Sequence, residues 1–283
     1  MRITRARHAG YCYGVQRALK IAREAAESSE KPIYTLGPII HNPQVVKSLM
    51  RHGVNAVKSV DDVKEGTIII RSHGVDPEII RKATKKGLKV IDATCPFVAK
   101  AQQRAADLVN DGYNVIIVGE RNHPEVVGLV AYAGHKAIVI ENAKELKNLV
   151  LKNPVGVVVQ TTQSIENLNR VVESLLYKVK DLKVFNTICN ATSHRQEDAR
   201  RLSRHVDLMI VVGGKNSANT TRLAQICRET NERTYHIETA EEVDGAWLKG
   251  VEHVGITAGA STPDWILEEV IERLKQESEK QEV

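Results

Sequence analysis

Three kinds of short apolar run recur along this chain, and each kind ends in its own polar tip. The first closes on glycine and a polar loop: YTLGPIIHNPQVV, VIIVGERNHPEVV and LMIVVGGKNSANT. The second ends in small hydroxylic or amide residues: IIIRSHGVDPEII, GVVVQTTQSIENL and VGITAGASTPDWI. The third ends in cysteine: KVIDATCPFVAKA, KVFNTICNATSHRQ and RITRARHAGYCYGVQRA, the last at residues 2–18. Gly37 and Gly119 are 82 residues apart, and Cys95 and Cys189 are 94 apart. A repeat of this length constrains the architecture more than any single element does. It reads as three similar units, of which the third lacks a cysteine-ending strand. The cysteine run at the start of the sequence supplies the missing one. The expected limits are 14–95, 96–189 and 190–270, the last completed by residues 1–13, with 271–283 a C-terminal helix and tail.

Within the units, β-branched runs alternate with segments of helical period. Strands are expected at 33–37, 67–71, 89–93, 114–119, 137–141, 156–161, 183–188, 208–213, 234–237 and 253–257. Helices are expected at 15–27, 96–110, 165–179 and 196–205. Apolar strands alternating with helices imply an α/β fold of parallel sheets covered by helices. Three such units in a ring would set their small parallel sheets around a central cavity. Every polar tip then lies at the carboxyl end of a strand, where open parallel sheets bind ligands. The glycine-rich dinucleotide fingerprint is absent, and Gly213-Gly214-Lys215-Asn216-Ser217 lacks phosphate-loop spacing.

Composition narrows the class of function. With 42% hydrophobic and 27% charged residues over 283 positions, the chain has ample apolar material for a packed core, which excludes disorder as its main state. The net charge of +5 is scattered and aromatics are 4%, so no nucleic-acid platform is expected. No apolar segment follows the basic N-terminal residues, and no run approaches the ~20 apolar residues a membrane helix needs. The expected location is cytoplasmic, with no membrane partner. Four cysteines are too few for a disulfide scaffold, and a reducing compartment makes them better metal ligands than bridges.

Cys12, Cys95 and Cys189 occupy matching repeat positions, each ahead of a helix whose positive end favours a thiolate or a bound anion. Cys227, in the helical stretch 221–228, matches nothing and reads as core. Three thiolates far apart in sequence suit zinc with an open position, or an iron–sulfur cluster with one iron lacking a protein ligand. Spacing does not choose between them.

Nine segments in order, GYCYGVQRA, LGPIIHNPQVV, RSHGV, DATCPFV, GERNHPEVVG, QTTQS, TICNATSHRQ, GGKNSANTTRL and ITAGASTPDW, closely resemble the 4-hydroxy-3-methylbut-2-enyl diphosphate reductase family, also called LytB/IspH. The resemblance spans essentially the whole chain. It implies a trefoil around one [4Fe–4S] cluster held by Cys12, Cys95 and Cys189, with one iron left for the substrate. It also implies a two-electron, two-proton reductive dehydroxylation. The products are isopentenyl and dimethylallyl diphosphates, in the last step of the methylerythritol phosphate route. The implied electron donor is a ferredoxin or flavodoxin.

Further residues carry over from the same motifs. His41, His73 and His123 match the family's substrate-pocket histidines, which face the diphosphate. Ser217, Asn219 and Ser261 match its hydroxyl and amide donors to the same group, which needs several charge-assisted hydrogen bonds. Glu125 matches the proton-relay carboxylate, although a glutamate at a helix start is also at home in solvent. Thr161 matches the threonine that orients the hydroxyl and Glu125, and Thr162 stands ready to share that role. The family's consecutive serines are replaced here by Asn216-Ser217-Ala218-Asn219, so one hydroxyl is missing and altered substrate grip is expected. Two other classes compete with the reductase: a non-redox iron–sulfur hydro-lyase (or zinc hydrolase), and a cluster-bearing sensor. A hydro-lyase needs no electrons, and a sensor needs no polar substrate cavity.

Overall fold

The most apolar runs become the interior strands of three four-stranded parallel sheets in the computed structural model, which describes residues 1–281. In chain order the elements are β1 (Arg2–Arg5), α1 (Tyr13–Ser28), β2 (Ile33–Leu36), α2 (Pro43–Arg51), β3 (Val54–Val57), β4 (Thr67–Ile70), α3 (Pro77–Lys85) and β5 (Lys89–Asp92). Then come α4 (Pro96–Asn110), β6 (Asn114–Val118), α5 (Pro124–Tyr132), β7 (Ile138–Ile140), β8 (Val155–Val159), α6 (Ile165–Leu176) and β9 (Leu182–Phe185). The last part holds α7 (Asn190–Ser203), β10 (Leu208–Val212), α8 (Ala218–Arg228), β11 (Thr234–Ile237), β12 (His253–Ala258) and α9 (Asp264–Glu279). The expected α/β class with three parallel sheets is therefore borne out.

The sheets share one strand order: β3-β2-β4-β5, β7-β6-β8-β9 and β11-β10-β12-β1. In the third, the position of β5 and β9 is taken by β1, which pairs in parallel with β12 from Arg2 opposite His253 to Arg5 opposite Ile256. The interior strands β4, β8 and β10 are buried along their whole length, as a sheet covered on both faces requires. One face of β10 packs Leu208, Ile210 and Val212 against Ile266, Leu267, Val270 and Leu274 of α9. On the other face, Met209 and Val211 meet Leu223, Ala224 and Cys227 of α8. In the second sheet, Val157 and Val159 pack on α6, while Val158 meets Ala101, Ala105 and Leu108 of α4.

The chain divides into two compact units. One contains residues 1–13, 41–43 and those from 190 onward; the other contains 14–40 and 44–189. They are termed the Cys12 unit and the Cys95/Cys189 unit. Strand β3 is an element the sequence did not suggest, because Asn55 and Ala56 are exposed and break the apolar run. Helix α6 stops at Leu176, short of the expected 179. Helix α7 begins at Asn190 rather than 196, because its first turns, NATSHRQ, have no apolar period. The end of the expected tail, residues 282 and 283, lies outside the described residues. Among the described residues, no helix is long and apolar enough to cross a membrane.

Candidate active site

The three matching cysteines have equivalent backbone settings. Cys12 N–H donates to Ala260 O at 3.2 Å, Cys95 N–H to Ser72 O at 2.9 Å, and Cys189 N–H to Thr161 O at 3.0 Å. Each acceptor lies two residues beyond the end of the neighbouring strand, β12, β4 or β8. A helix follows each cysteine at once: α1, α4 and α7. All three cysteines are partly exposed and none is in a disulfide, whereas Cys227 is buried. Burial pushes the Cys227 thiol up to about 12, so it does not supply a thiolate. The donor set thus fits a metal or cluster that takes three thiolates: three reduced, accessible cysteines, with the fourth sequestered in core.

In the Cys95/Cys189 unit, the tips of β6 and β8 build an acid site. The turn after β6 places His123 as the N-cap of α5, and its Nδ1 accepts the Glu125 backbone N–H at 3.2 Å. That bond leaves Nε2 as the protonated nitrogen of the neutral ring. The His123 ring meets His73, from the tip of β4, edge to face at 5.4 Å between centroids. Glu125 is 1% exposed, so the solvated alternative for this residue is overturned. Its Oε1 accepts the Thr161 backbone N–H at 2.6 Å and its Oε2 accepts the Thr161 hydroxyl at 2.8 Å. Burial raises the carboxyl to about 7 against the opposing pull of both Thr161 bonds, and the charge of Glu120 adds to the rise.

Thr161 therefore ties three groups together. Its N–H and hydroxyl hold Glu125, and its carbonyl holds the Cys189 amide. Thr162 takes no part in this. Its hydroxyl accepts from Gln160 Nε2 at 3.0 Å, while Gln160 Oε1 accepts the Glu120 N–H at 2.9 Å.

In the Cys12 unit, the tips of β10 and β12 carry neutral donors and acceptors. Ser217 is the N-cap of α8, its hydroxyl accepting the Thr220 N–H at 3.4 Å. Asn219, in the first turn, is 5% exposed, yet neither amide atom has a hydrogen-bond partner among the described residues. A buried amide in that state is unusual and points to a ligand. The buried Thr220 hydroxyl is likewise unpartnered, a feature that no sequence signal marked. Ser261, beyond β12, donates to the carbonyl of His41 at 3.0 Å. Gly214 lets this chain segment come close: a Cβ there would lie 3.0 Å from the same carbonyl. His41 thus belongs to the Cys12 unit, and His73 and His123 to the other.

Two arginines that sequence reasoning passed over also touch the cysteine loops. Arg17 Nη1 donates to Thr94 O at 3.1 Å, and Arg195 Nη2 donates to Gly10 O at 2.7 Å. Both lie inside family motifs, GYCYGVQRA and TICNATSHRQ, but one arginine in a helical stretch carries no signal of its target.

Against known proteins, the likeness is nearly full-length. A Pelobacter propionicus protein named 4-hydroxy-3-methylbut-2-enyl diphosphate reductase is 54% identical over 274 residues, 97% of this chain and 98% of its own. A protein of the same name from Geobacter sulfurreducens is 52% identical over 276 residues, 98% of each chain. A solved (E)-4-hydroxy-3-methyl-but-2-enyl diphosphate reductase, described as the terminal enzyme of the non-mevalonate pathway, is 50% identical. It superposes with a TM-score of 0.72 over 98% of this chain and 100% of its own. The Plasmodium falciparum E-1-hydroxy-2-methyl-but-2-enyl-4-diphosphate reductase is 30% identical, with a TM-score of 0.91 over 96% of this chain and 87% of its own. The family profile described as LytB protein matches residues 3–275, and this chain belongs to the LytB family.

Proposed function

We propose that this chain is an oxidoreductase that reductively dehydroxylates 4-hydroxy-3-methylbut-2-enyl diphosphate, the terminal step of the non-mevalonate route to isoprenoids. Two electrons and two protons enter, the allylic C–O bond breaks, and water leaves. One proton goes to the departing oxygen and one to the allylic carbon frame, giving isopentenyl or dimethylallyl diphosphate. Cys12, Cys95 and Cys189 would hold one [4Fe–4S] cluster, with one iron free of protein ligands. A cluster held there would supply electrons one at a time, drawn from a ferredoxin or flavodoxin.

The observation that carries the reading is Glu125, a fully buried carboxyl raised to about 7 and fixed by Thr161. Near neutral pH such a group holds a proton in about half the molecules and can release it, which is what a general acid must do. The Thr161 bonds orient both carboxyl oxygens, so the proton is delivered from a set position. His123 caps the helix that carries Glu125, its Nδ1 committed to the Glu125 amide, which fixes the ring beside the acid. Around the diphosphate we assign His41, His73, His123, Ser217, Asn219 and Ser261. The empty hydrogen-bonding capacity of buried Asn219 supports this placing, as does the start of α8, whose positive dipole end favours an anion. Ala218 contributes no side-chain donor beside them.

The direct test is anaerobic purification, iron and sulfide analysis, and assay with the hydroxylated diphosphate and a chemical one-electron reductant. The expected result is a coloured iron protein whose turnover depends on the reductant. A colourless zinc protein would overturn the cluster. Turnover indifferent to the reductant would overturn the reductase in favour of a hydro-lyase.

A further inference from the structure

The three cysteine loops differ in how they are held. Cys95 lies three residues past β5, and the loop closes on itself: Asp92 Oδ1 accepts the Thr94 N–H at 2.8 Å. Cys189 lies four residues past β9, and Asn186 Oδ1 accepts the Ile188 N–H at 3.1 Å in the same manner. Such local caps hold a turn without outside help. Cys12 lies seven residues past β1, and its loop turns through Gly10 at φ +104, a backbone state that favours glycine.

This longer loop is gripped from outside, by α7. Arg195 is 3% exposed, and its guanidinium forks between Ala191 O at 3.1 Å and Gly10 O at 2.7 Å. One turn on, Asp198 Oδ2 accepts the His8 N–H at 3.0 Å, and Arg201 holds its other oxygen at 2.8 Å. The Cys95 loop has a matching grip besides its local cap, since Arg17 of α1 donates to Thr94 O at 3.1 Å. The two clamps follow one rule. Helix α1 directly follows Cys12, and its arginine holds the carbonyl ahead of Cys95. Helix α7 directly follows Cys189, and its arginine holds a carbonyl just ahead of Cys12.

We propose that Arg17 and Arg195, with Asp198, are positioning residues that fix two of the cysteine loops for cluster retention, α1 and α7 each clamping the approach to another cysteine. A charged donor on a buried carbonyl is among the stronger hydrogen bonds available, and a loop without it samples more conformations. Arg195 bears the larger share, because the Cys12 loop is longer and its own side-chain bond, Arg5 Nη2 to Ala9 O at 3.1 Å, is exposed, whereas the Arg195 bond to Gly10 is buried. The proposal rests on the reading that the three cysteines hold a cluster.

The test compares the anaerobically reconstituted full chain with Arg195→Met, Arg195→Lys, Arg17→Met and Arg17→Lys, and with Arg81→Met on the exposed face of α3 as control. Three quantities are read: iron release to a chelator, hydrogen exchange resolved by peptide, and the paramagnetic resonance spectrum of the reduced protein. Arg195→Met should speed exchange about tenfold at residues 6–13 and not at 92–97, the scale of one charge-assisted hydrogen bond. Arg17→Met should show a smaller rise at 92–97 alone. Both should release iron faster with an altered spectrum, Arg195→Met by about tenfold on the same scale, and the lysine variants should restore part of each. Unchanged exchange at both loops, or a rise spread over the core strands, would overturn the clamps. If Arg195→Met does not fold, Arg195→Lys and both Arg17 variants decide the matter. A parent chain that retains no iron breaks the cluster reading instead, and the exchange pattern then tests the clamps alone.

Discussion

The polar tips of the two compact units solve opposite problems. In the Cys95/Cys189 unit, the proposed acid and the histidine beside it are already engaged: Glu125 is held by Thr161, and His123 Nδ1 by the Glu125 amide. In the Cys12 unit, Asn219 and Thr220 are buried with bonding capacity left open. A satisfied, buried carboxyl is a tuned proton source whose value lies in a set position and affinity. An unsatisfied buried amide costs stability until something fills it. The first arrangement is suited to chemistry and the second to grip. Substitutions in the two units should therefore separate in kinetics, one lowering kcat and the other raising KM.

The most drastic way to break the comparison removes the proposed cluster ligands. Replacing Cys12, Cys95 or Cys189 by serine should abolish iron retention and turnover alike, whichever unit is altered. Next, Glu125→Gln should keep iron and substrate binding but lower kcat by at least ~10²-fold, the usual scale of general acid catalysis. The same change also bears on stability. A carboxyl raised from 4.5 to about 7 on folding binds its proton more tightly in the folded chain. Its contribution is fully present below pH 4.5 and is lost as pH rises through 7. Glu125→Gln should thus gain on the parent across that window, by on the order of 3 kcal/mol at pH 8, read as thermal melting of the cluster-free chain. A parent with flat melting between pH 5 and 8 would remove the raised carboxyl from the account.

Smaller effects sharpen the contrast. Thr161→Val deletes a hydroxyl bond that lowers the Glu125 affinity for protons. The upper limb of the kcat–pH profile should move to higher pH, with kcat down about tenfold from lost orientation. Asn219→Ala should raise KM about tenfold at near-constant kcat, the scale of losing one or two hydrogen bonds to a charged group. Stabilisation by inorganic pyrophosphate should fall in step. A fall in kcat without a rise in KM would move Asn219 from grip to chemistry. Least of all, Cys227→Ala should leave iron content and kcat alone and cost about 1–2 kcal/mol of stability as a small cavity in the α8 core.

Much of this is legible in the sequence because it depends on local pattern. Apolar runs of strand length mark the three sheets, and the mismatch between three units and two internal cysteine strands foretells that β1 pairs with β12. The start of helix α7 is hidden because its buried face is polar, with Thr192, Arg195, Gln196 and Asp198 turned inward, so no hydrophobic period exists to read. Strand β3 escapes notice because its middle residues face solvent. At the candidate site, Glu125 can be named from its motif, but its burial comes from the packing of α5 against β6 and β8, which no local window contains. The partners of Arg17 and Arg195 lie 77 and 185 residues away, beyond the reach of any spacing argument.

The borrowed strand has a consequence for assembly in the cell. Residues 2–5 are synthesised long before their partners at 253–256. Closing so long a loop is entropically costly, and contacts of that separation form late. Cys12 takes its bearing from Ala260, beyond the tip of the late strand. Cys95 and Cys189 have their backbone acceptors, Ser72 and Thr161, earlier in the chain than themselves, whereas Cys12 finds its own only once synthesis has passed residue 260. On the proposed cluster reading, a product truncated before residue 253 would carry all three thiols and still lack the strand beyond which Cys12 is seated.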